Sequence, residues 1–126
     1  MQFNRSNALY AVKWFQQKAR LKDWNINLII SDSLPAKHNR YTDMTNCFGA
    51  SMETDKWELR VDIWVSPLNC GNDDDAGWNT LFHELMHVAV RQSGLNETSE
   101  MHHELFVETQ GRIAKELFML ENQKKK

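Results

Sequence analysis

Residues 81–90 read Leu81-Phe82-His83-Glu84-Leu85-Met86-His87-Val88-Ala89-Val90, two histidines four apart with a glutamate after the first. On a helix, at about 100° per residue, His83 and His87 stand about 40° apart on one face, one turn from each other. Two imidazoles so placed can grip one divalent cation. Glu84 lies about 100° round from His83, off that edge, where its carboxylate can take a proton from a water at the ion instead of joining the ligands. With only five histidines in 126 residues, composition yields this pattern by chance in roughly one such chain in seventy, so it carries weight. The neighbours add to it. Leu81, Phe82, Leu85, Met86, Val88, Ala89 and Val90 make the segment apolar almost all round, the mark of a buried helix. Burying His, Glu and His there is costly unless something satisfies them. A bound metal does so. The plainer alternative is a pair of core histidines bonded to carbonyls.

A catalytic zinc centre takes three protein ligands and keeps one position open, so a further donor is expected on a neighbouring element. The segment Ser99-Glu100-Met101-His102-His103-Glu104 opens a second periodic stretch. Phe106, Val107, Ile113, Ala114, Leu117 and Phe118 define its apolar face. By helical phase His103 projects near the centre of that face, with His102 on one flank and Glu100 and Glu104 on the other. His103 is the first choice as third ligand, and His102 and Glu104 are the alternatives. With Zn2+ held there, the expected chemistry is hydrolysis of a peptide bond: the ion polarises the carbonyl, and Glu84 accepts a proton and passes it to the leaving amine. Tyr41 and His38 are candidates for steadying the oxyanion, ordinary loop residues being the plainer reading.

The elements that must position these groups follow from periodicity. Ala8, Leu9, Val12, Phe15 and Ala19 predict a helix over 5–22. Ile26, Leu28 and Ile30 alternate, predicting a strand over 25–31. Residues 32–46, with Pro35, read as a long loop. A hairpin is expected from 47–53 and 57–65, with Thr54-Asp55-Lys56 as its turn. Asp73, Asp74 and Asp75 end a second loop and read as a cap for the helix of about 78–93, not as a calcium loop, whose alternating carboxylates they lack. Gly94 is a plausible stop, and the last helix is expected over 98–120. The order implies an α+β domain: a small, mainly antiparallel three-stranded sheet packed on three helices. The chain is long enough for one core and not two, so 1–126 is read as a single domain.

Composition narrows the setting. At 41% hydrophobic and 25% charged, the chain has the make-up of an ordinary globular protein. A net charge of −2 gives no basic field, so no nucleic-acid partner is expected. No apolar run approaches a membrane span. Cys47 and Cys70 form no C-x-x-C pair and read as small, partly buried thiols. With a polar Met1–Arg5, they make a cytoplasmic location the expectation.

Four stretches carry a resemblance: Leu21-Lys22-Asp23-Trp24-Asn25-Ile26 leading into the first strand, the strand Trp57–Val65, Thr80–His87, and the helix His102–Leu117. Together they resemble the minimal zincin-type metallopeptidases encoded by phages, prophages and related bacterial elements, and more distantly the SprT-like and ImmA-like families. Only the H-E-x-x-H segment is specific; the rest is pattern. The resemblance implies a zincin-like fold, His83 and His87 as zinc ligands, Glu84 as base, a protein or peptide substrate, and the host cytoplasm if the chain is phage-encoded. In many such relatives a Glu precedes an apolar residue by three, with apolar positions at six and ten; His103 holds that place, followed by Phe106, Thr109 and Ile113. SprT-like proteins use a downstream His with an aromatic four residues later, which selects His102, again with Phe106. A catalytically silent zinc protein that docks on a host partner is the competing expectation. A DNA-associated protease is disfavoured by the charge.

Overall fold

The computed structural model describes residues 1–38, 47–55, 59–93 and 100–123. Its elements, in chain order, are α1 (Arg5–Lys18), β1 (Asn25–Ile30), β2 (Gly49–Asp55), β3 (Arg60–Val65), α2 (Asp74–Ser93) and α3 (Glu100–Gln123). This is the expected α+β arrangement of three helices and a three-stranded sheet. The strand order is β1-β3-β2. β2 and β3 pair antiparallel, whereas β1 runs parallel to β3, with Leu28 opposite Ile63. The sheet is therefore mixed, with β3 at its centre.

Local chemistry sets the boundaries. Asn4 caps α1, its Oδ1 accepting from the Asn7 backbone N–H at 2.8 Å. The helix stops before the expected residue 22 because Arg20 adopts a left-handed φ of 57°, and the Leu21 N–H turns back to the Gln16 carbonyl. That turn drops Leu21 and Trp24 into the core. α2 starts four residues before the expected Trp78. The Asp73 side chain accepts from the Asp75 N–H at 3.1 Å and its carbonyl from the Gly77 N–H at 3.0 Å. Asp74 receives the Phe3 N–H and Asp75 the Lys115 ammonium, so each aspartate of the triplet has a structural partner, as the capping reading expects.

Val61, Ile63 and Val65 of β3 point at the helices and join Leu28, Trp78, Leu81, Phe82, Leu85, Val88 and Phe118 in the main core. Trp78, Phe82 and Phe118 stack there with centroids 5.6–6.4 Å apart. The opposite face of the sheet is buried too. Ala50, Met52 and Trp64 pack with Ile29 and Leu34, under the segment after β1. Burial on both sides is why β3 is apolar at Trp64 as well as at its alternate positions. No helix among the described residues is long and apolar enough to cross a membrane.

Candidate metal centre

α2 is held by its apolar faces, which fixes the one edge that carries His83 and His87. Their rings lie 4.9 Å apart, centroid to centroid, and their Nε2 atoms 3.2 Å apart. α3 crosses α2 at this level. A Cβ on Gly111 would sit 3.2 Å from both His83 Cα and the Phe82 carbonyl oxygen, so glycine permits the backbones to touch. That contact brings the residues one and two turns before Gly111 onto the imidazoles. Each Nε2, of His83 and of His87, stands 3.2 Å from an oxygen of the Glu104 carboxylate. Glu108 takes the other nitrogen of His83: its Oε2 is 2.8 Å from Nδ1, and its Oε1 accepts from Arg112 Nε at 2.7 Å. The Arg112 hydrogen bond, and after it that of His83, outweigh partial burial and hold the Glu108 carboxyl below its usual range. A carboxylate at Nδ1 favours the tautomer that carries its proton there, which leaves the Nε2 lone pair of His83 to face the shared point.

Glu84 is different in kind. It is 6% exposed, and its Oε2 has no hydrogen-bond partner. Burial pushes its carboxyl up to about 7; His83 in its protonated form and, less strongly, Arg91 oppose this, while Glu104 adds to it. A buried carboxyl that titrates near neutrality is suited to taking and returning a proton.

These donors could hold a divalent cation. Ligand atoms on a tetrahedral ion with bonds of ~2.0–2.1 Å lie about 3.3 Å apart, close to the 3.2 Å edges formed by the two Nε2 atoms and the Glu104 oxygens. His83, Glu84 and His87 together present one donor atom each within 4.8 Å of one another. Among the described side chains of α3, Glu104, an alternative ranked behind His103 by sequence, is the one that meets both histidines. The side chains of His103 and His102 lie outside the described residues, as does Tyr41. His38 is elsewhere: its Nε2 bonds buried Asp62 at 2.8 Å, on the sheet face turned from the helices, with Lys37 and Asn27 on the same carboxylate. Sequence reasoning missed Glu108 and Arg112. The signal was there, since Glu104, Glu108 and Arg112 form an i, i+4, i+8 row.

A cavity of about 400 Å³ opens beside His83 and Glu84, between Phe48 and Gly49 at the start of β2, Asn79 and Thr80 of α2, and Arg112. Among the described residues the buried side-chain oxygens without a partner are Glu84 Oε2 and Asn79 Oδ1, and both residues line this cavity. β2 is an outer strand of the sheet and is tied to α2 by Arg91, whose guanidinium donates to the Ser51 hydroxyl and carbonyl at 3.0 and 3.3 Å. Comparison with known protein families, curated proteins and solved structures found no match.

Proposed function

We propose that this chain is a zinc-dependent peptidase whose metal is held by His83, His87 and Glu104. The observation that carries the reading is the meeting of two imidazole Nε2 atoms and one carboxylate at 3.2 Å, beside a buried Glu84 whose Oε2 lacks a hydrogen-bond partner at the wall of an open cavity. Zinc, when bound, supplies a Lewis acid for the scissile carbonyl and acidifies water. The protein's own groups do the rest. Glu84 accepts a proton at its carboxylate and returns it to the leaving amine. Glu108 holds the His83 ring in orientation through Nδ1. The outer edge of β2 offers backbone groups to an extended peptide, and the cavity at Asn79 receives one of its side chains.

Glu84→Gln tests this. The amide nearly matches the carboxylate in size but cannot take a proton at neutral pH, so metal content and melting behaviour stay near the parent's while cleavage of an unfolded protein falls by at least ~100-fold. Equal cleavage by parent and variant at matched zinc content removes Glu84 from the chemistry. Zinc bound by both with cleavage by neither turns the site into that of a silent, metal-stabilised docking protein.

A further inference from the structure

Among the described residues, α3 carries a second row of large apolar side chains that stays exposed. Val107, Gly111, Ala114 and Phe118 follow one another at spacings of four, three and four and face inward, with Val107 and Phe118 wholly buried. One residue earlier in each case, Phe106, Gln110, Ile113 and Leu117, continued by Leu120, repeat the same spacing about 100° round the helix. Phe106, Ile113, Leu117 and Leu120 are 45, 49, 52 and 52% exposed. Single exposed apolar side chains need no explanation, but four on one line do. Their average step of 3.5 residues is that of a seam packing helix against helix.

We propose that this seam pairs with the same seam of a second copy of the chain. The spacing asks for a helix presenting a matching row. Among the described helices α1 exposes only Tyr10 as a large apolar residue and α2 none, so α3 is the element that answers it. The ends of the row also stand symmetrically about its middle. Phe106 and Leu120 stand seven residues either side of Ile113, so an antiparallel pair with its two-fold axis at Ile113 sets Ile113 against its copy and Phe106 opposite Leu120. Such a contact is isologous and closes on itself.

Area sets the strength. With half of four large side chains uncovered, each copy contributes on the order of 400 Å² of apolar surface, and a pair with its polar rim buries about 1,000 Å², the lower bound for a specific interface. The dimer is therefore reversible, with a Kd in the micromolar range. A net charge of −2 does not oppose it. The row Glu104, Glu108, Arg112 lies on the far side of α3 from the seam, so the metal centre stays open in the pair, and zinc binding serves as an independent control.

Sedimentation of the chain from about 1 to 300 µM tests the pairing. The parent moves from the mass of one chain to that of two, while Ile113→Glu with Leu117→Glu stays at one chain with an unchanged circular dichroism spectrum and zinc affinity. Gln110→Leu, which makes the seam wholly apolar, shifts the transition to roughly tenfold lower concentration. In a Cys47→Ser background, Ile113→Cys forms a disulfide between copies on oxidation. A parent that remains one chain to 300 µM overturns the proposal, whether or not the face captures some other protein. So does a double-glutamate variant that dimerises as the parent does, or a Gln110→Leu chain with an unmoved transition.

Discussion

Replacing Glu104 with alanine removes the one described carboxylate that meets both Nε2 atoms at 3.2 Å. Its side chain is 51% exposed, so the core loses nothing and the effect reads out at the metal. Zinc held by four protein ligands is worth about 10–16 kcal/mol, or ~2.5–4 kcal/mol per ligand. Losing one of three should cost a similar amount, a weakening of roughly 60- to 700-fold. Glu108→Gln is the internal scale. It leaves every donor in place and loosens only the 2.8 Å hold on His83 Nδ1, so it should weaken zinc by about 10- to 100-fold. His103→Ala and His102→Ala should change affinity by less than about threefold if Glu104 completes the set. The assay is competition against a chromophoric chelator at neutral pH, with unfolding curves confirming that each variant is folded. If His103→Ala or His102→Ala costs a hundredfold while Glu104→Ala costs under threefold, the ligand set is wrong, and α3 turns differently at its start.

Three further outcomes test the frame around the site. Gly111→Val forces side-chain atoms into the space where a Cβ alone would lie 3.2 Å from the α2 backbone; it should cost about 1–3 kcal/mol in urea unfolding and weaken zinc by roughly tenfold or more by lifting Glu104 and Glu108 off the histidines, whereas a variant with parental zinc affinity refutes the role given to the crossing. Phe118→Ala empties a fully buried ring site among Trp14, Trp78 and Phe82 and should lower stability by about 3–5 kcal/mol; a loss below ~1 kcal/mol means the aromatic cluster does not anchor α3. Asp62 is pulled both ways: burial raises its carboxyl, but hydrogen bonds from Lys37, His38 and Asn27 win and hold it below 3.8. The ionised form thus favours the folded state, so its contribution is whole above pH ~4 and is lost as pH falls through the lowered value. Relative to Asp62→Asn, the parent's stability should drop as pH falls below about 4; parallel curves from about pH 5 down to about pH 2.5 would falsify the linkage.

Much of the frame is legible from pattern. The His83–His87 edge follows from the helical period, and the inward faces of β1 and β3 follow from alternation. What alternation leaves open is the direction of a neighbour. Ile26, Leu28 and Ile30 face the core whether β1 runs with β3 or against it, and only the assembled sheet shows them parallel. Local polar chemistry moves boundaries in the same way. The Asp73 cap extends α2 back to Asp74, and the left-handed Arg20 ends α1 early, effects of single residues that periodicity averages away.

α3 shows why the carboxylate that meets both imidazoles was harder to read. Its apolar residues form two parallel rows with the same steps, displaced by one position, and a periodicity argument merges them into a single broad arc centred near His103. Among the described residues the buried row is that of Val107, Ala114 and Phe118. Its centre is turned from the centre of the arc towards Glu104. One residue distinguishes the rows without a structure. Gly111 is a poor helix former in mid-helix, and its place makes sense where another backbone must come close, which is where His83 and Phe82 meet it. Phasing α3 on Gly111 instead of on the mean of its apolar residues puts Glu108 three positions and Glu104 seven positions earlier on the contact line with α2. The same step leaves Phe106, Ile113, Leu117 and Leu120 facing away from the domain. The breadth of the arc and the uncovered seam are then one observation: α3 is wider in apolar surface than the described core uses, because one row serves the core and the other is left for a second copy.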